Sequence, residues 1–207
     1  MPAPPDKVIA AAAKDVLQPL GFRRRGRSRL WIADHHWWLN VVEFQPSGWS
    51  KGSYVNVAAH WLWSNTGHLS FDHGGRAGGF AEGFDTQFEA AVRTLAEAAA
   101  EEARRLANVI RSILETADLL KAAEMSLPDR SRGSWSAYHA AMAAGLAGRS
   151  SDATALFKAV MDDRVKVAAD PMAPLTNDPD GFRHKAEALI AKQRRMLGLD
   201  ALTHPLF

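Results

Sequence analysis

The sequence predicts an α+β protein: a small antiparallel β-sheet packed with an N-terminal helix and a long central helix, followed by a helical C-terminal extension. Three observations support this fold class. Apolar residues recur at helical spacing before residue 21, alternate with a period of two between residues 22 and 63, and return to helical spacing from residue 86 onward. We therefore expect an α+β domain with a tryptophan-rich sheet over residues 1–125 and a helical extension over residues 126–207.

The first predicted element is an amphipathic helix over residues 5–19. Val8, Ala12 and Val16 lie on one stripe at helical spacing, which is typical of a helix that packs on one side. Gly21 follows, and glycine is the residue that most often ends a helix.

The first predicted strand covers residues 22–32 and has one basic face. Its apolar residues alternate with basic ones, so every second side chain is expected on the same side of the strand. The basic positions of this alternation are Arg23, Arg25, Arg27 and Arg29.

Further strands are predicted over residues 36–45 and 53–63. Both carry apolar residues on each face, which is typical of central strands, and their short connections favour an antiparallel meander of three to five strands. A weaker fourth strand is predicted over residues 68–72. The glycine-rich residues 74–79 that follow are interpreted as a mobile connection.

The second half of the chain is predicted to be helical. Thr86 begins a capping-box sequence, and apolar residues repeat at spacings of three and four as far as Leu120, which predicts one long helix or two nearly collinear helices. A helical hairpin is predicted over residues 135–165 with its turn at Gly148. A last helix ends near Leu197.

Composition limits the function classes. The chain has no cysteine, which excludes disulfides, zinc–thiolate sites and thiol catalysis and favours a cytoplasmic protein. It contains no phosphate-binding loop motif, no serine nucleophile motif, no apolar run long enough for a membrane span and no secretory signal. We expect a soluble, noncatalytic protein that has no cofactor and does not bind membranes.

Three short segments, in this order, carry a family resemblance. The chain reads Leu-Gly-Phe-Arg-Arg-Arg-Gly-Arg over residues 20–27, Glu-Phe-Gln-Pro-Ser over 43–47 and Tyr-Val-Asn-Val over 54–57. This order resembles the bacterial domain-of-unknown-function family 4304, over roughly residues 5–125. The resemblance implies an antiparallel α+β fold and implies no chemistry.

The candidate binding residues combine arginines with tryptophans of the predicted sheet. Arginine and large aromatic residues are enriched at the centres of protein interfaces. We therefore predict that an open face of the sheet binds another protein or a peptide. The residues assigned to this face are Arg23, Arg25, Trp38, Asn56 and His60, with Arg27 and Arg29 on the same basic strand.

Three other interpretations remain open at this point. Alternate arginines of one strand lie about 6.6 Å apart, a spacing suited to nucleic-acid phosphates, so the Arg23–Arg29 strand is a candidate nucleic-acid surface. The same charges are typical of an edge strand that is kept from aggregating. Finally, His60, His68 and His73 could form the metal site of a hydrolase, although their spacing matches no established motif and we expect no metal.

Overall fold

The computed structural model describes residues 4–64, 66–83, 87–203 and 206–207. Within it the chain forms two compact units. The sheet unit consists of Met1–His60 and Ser70–Asn108, and the helical unit consists of Trp61–Leu69 and Val109–Phe207. The division after residue 125 stays a prediction.

The sheet unit contains one sheet of five strands and two long helices. Its elements are α1 (Pro5–Leu17), a 3₁₀ turn (Gln18–Leu20), β1 (Arg23–Arg24), β2 (Leu30–Asp34), β3 (Trp38–Pro46), β4 (Gly52–Trp61), β5 (His73–Glu82) and α2 (Phe88–Val109). The strands are hydrogen-bonded in the order in which they occur along the chain, and neighbours are antiparallel. The predicted α+β class and antiparallel sheet are confirmed.

The first helix forms where the sequence predicts it. Pro5 occupies its first turn, where a missing backbone N–H costs nothing, and Asp6 adds a negative charge near the positive end of the helix. Gly21 ends the following 3₁₀ turn with φ 85°, a left-handed conformation that only glycine adopts without strain. The chain then turns directly into β1.

One face of the sheet is covered by helix. Asn40 of β3 is buried and its Nδ2 donates to the carbonyl oxygen of Ala103 in α2 at 2.9 Å. Val42 lies two residues further along β3 and pairs with Trp31 of β2, which in turn pairs with Arg24 of β1. Because paired residues of an antiparallel ladder project to the same side, these side chains share the face toward α2, here called the helix face.

The prediction of one basic strand over residues 22–32 is wrong. The chain forms two-residue β1, turns, and returns as β2. Gly26 has φ 58° in this turn, Arg25 N donates to Leu30 O at 2.8 Å, and Arg24 donates to the carbonyl oxygens of Arg27 and Ser28. These hydrogen bonds stabilise a tight turn, so the four alternate arginines do not share one strand face.

The glycine-rich segment is also misassigned by the sequence. Residues 73–82 form β5, a ten-residue edge strand, and residues 68–72 are not a strand. A Cβ on Gly74 would lie 2.7 Å from Ala58 Cα, and one on Gly78 would lie 2.9 Å from Ala98 Cβ. Glycine at these two positions therefore allows neighbouring elements to pack closely, and it does not indicate a mobile connection.

The helical unit contains the remaining helices. They are α3 (Ile113–Ser126), α4 (Trp135–Leu146), α5 (Ser150–Lys158), α6 (Asp163–Ala169) and α7 (Pro179–Leu197), with 3₁₀ turns at Leu62–Ser64, Asp129–Ser131 and Ala173–Asn177. The predicted end of the last helix near Leu197 is confirmed, and Gly198 follows it with φ 66°. Among the described residues, no helix is long and apolar enough to cross a membrane.

Two helix boundaries differ from the simplest sequence prediction. The long helical pattern is divided into α2 and α3, because Ser112 accepts a hydrogen bond from Glu115 N and so begins a new helix. The second helix of the predicted hairpin is divided in the same way, with Asp162 accepting from Arg164 N at the start of α6. The predicted start at Thr86 lies outside the described residues.

The stability of the sheet unit is expected to fall when the pH is lowered below about 6.5. Burial is the main cause that lowers the pKa of both His35 and His73, and Arg105 lowers the pKa of His73 further. The unfolded chain therefore binds more protons than the folded one just below the ordinary histidine pKa of about 6.5. Denaturant unfolding at pH 7.5 and pH 5.5 measures this loss. Replacing both histidines by glutamine should reduce it, and an unchanged loss would contradict the prediction.

Candidate functional site

A groove lies between α1 and the β1–β2 hairpin. Its volume is about 690 Å³, within the usual range of roughly 300 to 1,000 Å³ for ligand pockets. It is here called the basic groove. The residues that line it are Ala10, Ala11, Lys14, Gln18, Gly21, Phe22, Arg23, Arg24 and Trp31.

Local sequence explains how the groove stays open. On the α1 side the groove is lined by the small side chains of Ala10 and Ala11, which leave space between the helix and the hairpin. Phe22 is buried directly after the left-handed Gly21. The apolar floor of the groove is therefore formed by small residues on the helix and by large aromatic residues on the hairpin.

Trp31 lines the groove and carries a buried hydrogen-bond donor that has no acceptor among the described residues. Its side chain is 4% exposed, and its Nε1 atom is buried without a hydrogen-bond partner among the described residues. Buried polar groups are almost always hydrogen-bonded, and leaving one without a partner costs about 1 to 3 kcal/mol. Only an acceptor atom that reaches Nε1 itself would remove this cost.

The charge of the groove has one sign. Lys14, Arg23 and Arg24 line it, and no Asp or Glu occurs among its described lining residues. Arg24 is held by its hydrogen bonds to the turn, whereas Arg23 is exposed. The nearby cation Arg29 is engaged by Asp6 at 2.6 Å. The groove therefore combines an apolar floor with cationic walls and an indole donor, a combination that suits an anionic ligand with some apolar surface.

The structure places the predicted arginines in different positions around the hairpin. Arg23 lines the basic groove, Arg25 and Arg27 belong to the turn, and Arg29 pairs with Asp6 on α1. They surround one hairpin but do not form a row of evenly spaced charges. The spacing on which the nucleic-acid interpretation rests is therefore not present.

Trp38 and His60 are buried, with exposures of 2% and 0%, and the prediction that they lie on an open sheet face is wrong. Trp38 stacks on His35 with ring centroids 4.2 Å apart. Sequence alternation could not show that both faces of the sheet are covered at these positions.

His60 forms a buried cluster with Ser70 and Asp72. Its Nδ1 lies 2.8 Å from Ser70 Oγ and 3.3 Å from Asp72 Oδ2. A serine–histidine–aspartate relay requires the serine and the carboxylate on opposite ring nitrogens, whereas here both are at Nδ1. This cluster instead holds the segment before β5 against the end of β4, with Asp72 N also donating to Ala59 O at 2.9 Å.

Asn56 lies on the face of the sheet opposite the helix face, in a polar and aromatic group that the sequence did not reveal. Asn56 Nδ2 donates to Gln45 Oε1 at 3.0 Å, and Arg76 stacks over the ring of Tyr54 at 3.7 Å. Tyr54 also contacts Phe80, with ring centroids 4.6 Å apart. Arg76 belongs to the glycine-rich segment, which the sequence analysis interpreted as a mobile connection. That interpretation could not show that Arg76 lies over the sheet.

The predicted histidine metal site is not assembled. No group of three or more His, Asp or Glu side chains that could hold a metal ion occurs within residues 4–64, 66–83, 87–203 and 206–207. His68 Nδ1 is 3.0 Å from the carbonyl oxygen of Thr66, as expected of a histidine in a turn.

Trp31 is the functional candidate that the sequence-based assignment missed. In the sequence, only its position directly after the arginine run pointed to Trp31. The alternation of residues in a strand cannot show whether an indole N–H has a hydrogen-bond acceptor in the folded protein. The surroundings of this indole include α1, which lies about twenty residues earlier in the chain.

The chain is similar to one described family of domains. Neither the curated proteins nor the solved structures contain a match to this chain. The model of the family described as "Domain of unknown function (DUF4304)" matches residues 13–110. This range includes β1 to β5 and all of α2, together with Lys14, Arg23, Arg24 and Trp31 of the basic groove. Over residues 13–110 the chain therefore resembles the DUF4304 family of domains of unknown function.

Proposed function

We propose that this protein is a noncatalytic binding module whose basic groove receives an acidic segment of a partner protein. The observation that carries the proposal is the buried Nε1–H of Trp31, which has no acceptor among the described residues and belongs to a side chain that lines a groove with three cations and no described acid. A donor in such surroundings favours a ligand that brings oxygen acceptors and negative charge.

A protein segment fits the groove better than an isolated anion does. The floor formed by Ala10, Ala11 and Phe22 is apolar and gains little from contact with a small hydrated ion. An acidic segment supplies carboxylates for Lys14 and Arg23 and carbonyl or carboxylate oxygens for Trp31. Its aliphatic side chains cover the apolar floor.

The hairpin is built to present these groups in a fixed geometry. Arg24 Nε and Nη2 donate to Ser28 O and Arg27 O at 2.7 and 2.9 Å, and Ser28 Oγ donates to Arg25 O at 2.6 Å. Groups that are held in place before binding lose less conformational entropy when the partner arrives. This rigidity supports a recognition role for the hairpin.

Binding of a fluorescein-labelled peptide rich in Glu and Leu tests the proposal by fluorescence anisotropy. We expect the wild-type protein to bind it and to bind a matched peptide with Gln in place of Glu at least about tenfold more weakly, a difference of about 1.4 kcal/mol. Increasing salt should weaken binding, because the charges of the groove are close to solvent.

Variants locate the site. Trp31→Phe keeps a six-membered aromatic ring but removes the N–H together with the five-membered ring of the indole, so it should weaken binding at least about tenfold, as expected for loss of a hydrogen bond to a charged acceptor. Arg23→Glu should abolish measurable binding. Trp49→Phe makes the same substitution, and Lys158→Glu makes the same reversal of charge, at exposed positions outside the groove, so both should leave binding unchanged.

Several outcomes would overturn the proposal. They are no binding by the wild-type protein, equal affinity for the acidic and the neutral peptide, and equal losses in the groove and control variants. A single-stranded oligonucleotide that binds more tightly than the acidic peptide, and loses affinity in Arg23→Glu, would assign the groove to nucleic acid instead.

A further inference from the structure

We propose that the exposed face of α7 binds the phosphate backbone of double-stranded DNA. Six exposed residues, which neighbour one another at helical spacings of three and four, form this face, here called the basic face. They are His184, Lys185, Ala188, Ala191, Lys192 and Arg195. The basic face extends over about 16 Å of the helix. It belongs to the helical unit, so the inference is independent of the basic groove in the sheet unit.

The basic face carries positive charge that the protein does not neutralise. Lys185, Lys192 and Arg195 have no ion-pair partner in the part of the chain that the structure describes. The half-buried Glu187 lies beside the face and not within it. Most basic side chains of the helical unit outside α7 are paired with an acid: Arg111 with Glu115, Lys121 with Asp152, Arg132 with Asp129, Arg149 with Asp118, Arg164 with Asp162 and Lys166 with Asp163. The concentration of unpaired cations on α7 therefore favours an anionic partner.

The helix that carries these charges is firmly held. The side of α7 opposite the basic face is buried in the helical unit through Phe182, Ala186 and Ile190. Gln193 is 0% exposed, and its Oε1 accepts a hydrogen bond from Gly67 N at 3.0 Å. The helix backbone does not have to be ordered when a ligand binds, which reduces the entropic cost of binding.

The composition of the basic face favours nucleic acid over a protein partner. Lysine and alanine are both depleted at protein interfaces, and the face has no aromatic or branched apolar side chain that could serve as an anchor. Lysine and arginine are the residues that most often bind phosphate oxygens. The small side chains of Ala188 and Ala191 allow the helix to approach such a ligand closely.

The shape of the basic face favours a DNA duplex. An α-helix is about 10 to 12 Å wide and fits the major groove of B-form DNA, whereas the major groove of A-form RNA is too narrow. Lys185 and Lys192 lie two turns apart on one edge of the face, where both can contact phosphates of one strand while Ala188 and Ala191 face the groove. A single strand gains less, because the face has no aromatic ring on which bases could stack.

Fluorescence anisotropy with a short fluorescein-labelled DNA duplex tests the inference. We expect the wild-type protein to bind this duplex. It should bind an RNA duplex and a DNA single strand of the same sequence at least about tenfold more weakly. For contacts of three cations with phosphates, raising the salt concentration from about 50 to about 200 mM should lower the affinity for the DNA duplex about fortyfold.

A double variant and its matched control locate the phosphate contacts. K192Q/R195Q removes two of the three contacts, so the same rise in salt should lower its affinity only about fourfold. R130Q/K158Q also removes one arginine and one lysine, at exposed positions outside α7, and should keep the salt dependence of the wild-type protein. Glutamine favours helices about as well as lysine does, and circular dichroism verifies that both variants are folded.

A negative charge placed within the basic face provides an independent check. Ala191→Glu should abolish duplex binding, whereas Ala155→Glu, at an exposed position of α5, and Arg23→Glu, in the basic groove, should not. No binding of the DNA duplex by the wild-type protein, equal binding of the RNA duplex or the single strand, or an unchanged salt dependence in K192Q/R195Q would overturn the inference. Loss of acidic-peptide binding in Ala191→Glu without loss of duplex binding would assign the face to an acidic protein instead.

Discussion

Asn40→Asp is expected to lower the free energy of unfolding of the sheet unit by about 3 to 5 kcal/mol at neutral pH, the cost of leaving a buried charge without a partner. Asn40 is 1% exposed, and its Nδ2 donates to the carbonyl oxygen of Ala103. The substitution removes this donor and places a carboxylate oxygen against the carbonyl. Urea denaturation monitored by tryptophan fluorescence measures the loss.

Two comparisons separate charge from shape at this position. Asn40 Oδ1 is buried and has no hydrogen-bond donor among the described residues, so Asn40→Leu loses one hydrogen bond but also removes an unsatisfied acceptor, and its cost should stay within about 1 kcal/mol. A protonated aspartic acid can donate to Ala103, so the penalty of Asn40→Asp should shrink as the pH falls toward about 4. A penalty that does not depend on pH, or that Asn40→Leu reproduces, would contradict this account.

Gly145→Leu is expected to destabilise the helical unit by about 3 kcal/mol, although leucine favours helices more than glycine does by about 1 kcal/mol. Gly145 lies in α4 against the ring of Phe182 in α7, and a Cβ there would overlap the ring, with Phe182 Cε2 at 2.8 Å. Phe182 is 1% exposed and also packs near Phe157, so the ring has little space to move away. Thermal unfolding of the two proteins measures the difference.

A double-mutant cycle distinguishes steric overlap from a general loss of packing. Phe182→Ala alone should cost about 3 to 5 kcal/mol because it leaves a cavity in the core. In G145L/F182A the leucine occupies space that the ring has vacated, so the cost should be clearly less than the sum of the two single costs. Additive costs would show that the two positions do not compete for the same space.

Short-range patterns predicted most of the fold. The spacing of apolar residues predicted α1, β3, β4 and the final helix, because hydrophobic periodicity follows directly from backbone geometry. Gly21 and Gly198 correctly marked helix ends, because each adopts a left-handed φ that the end of a helix requires.

The errors occurred where two local interpretations were equally valid. Alternating arginines agree with a strand, but Gly26 and the side-chain bonds of Arg24 and Ser28 turn the chain back after two residues. Repeated glycines agree with a mobile loop, but β4 and α2 lie so close to residues 74 and 78 that only glycine fits. The sequence of the glycine-rich segment alone cannot show that β4 and α2 are its neighbours.

The candidate site was predicted in part. Arg23 of the predicted binding residues lines the basic groove, whereas Trp38 and His60 are in the core. A count of tryptophans cannot separate those that only fill the core from one that also lines a groove. The distinction between Trp31 and Trp38 depends on which helix covers each ring.

The sequence by itself determined the α+β class, the antiparallel order of the central strands and the concentration of positive charge around residues 23–29. These properties follow from periodicity and composition within short segments. Only the tertiary structure decided that Trp31 Nε1 has no acceptor among the described residues, that Lys14 of α1 lines the same groove as Arg23, and that β5 is an edge strand. The physical reason is that burial and hydrogen-bond satisfaction depend on residues that are distant in the chain and meet only after folding.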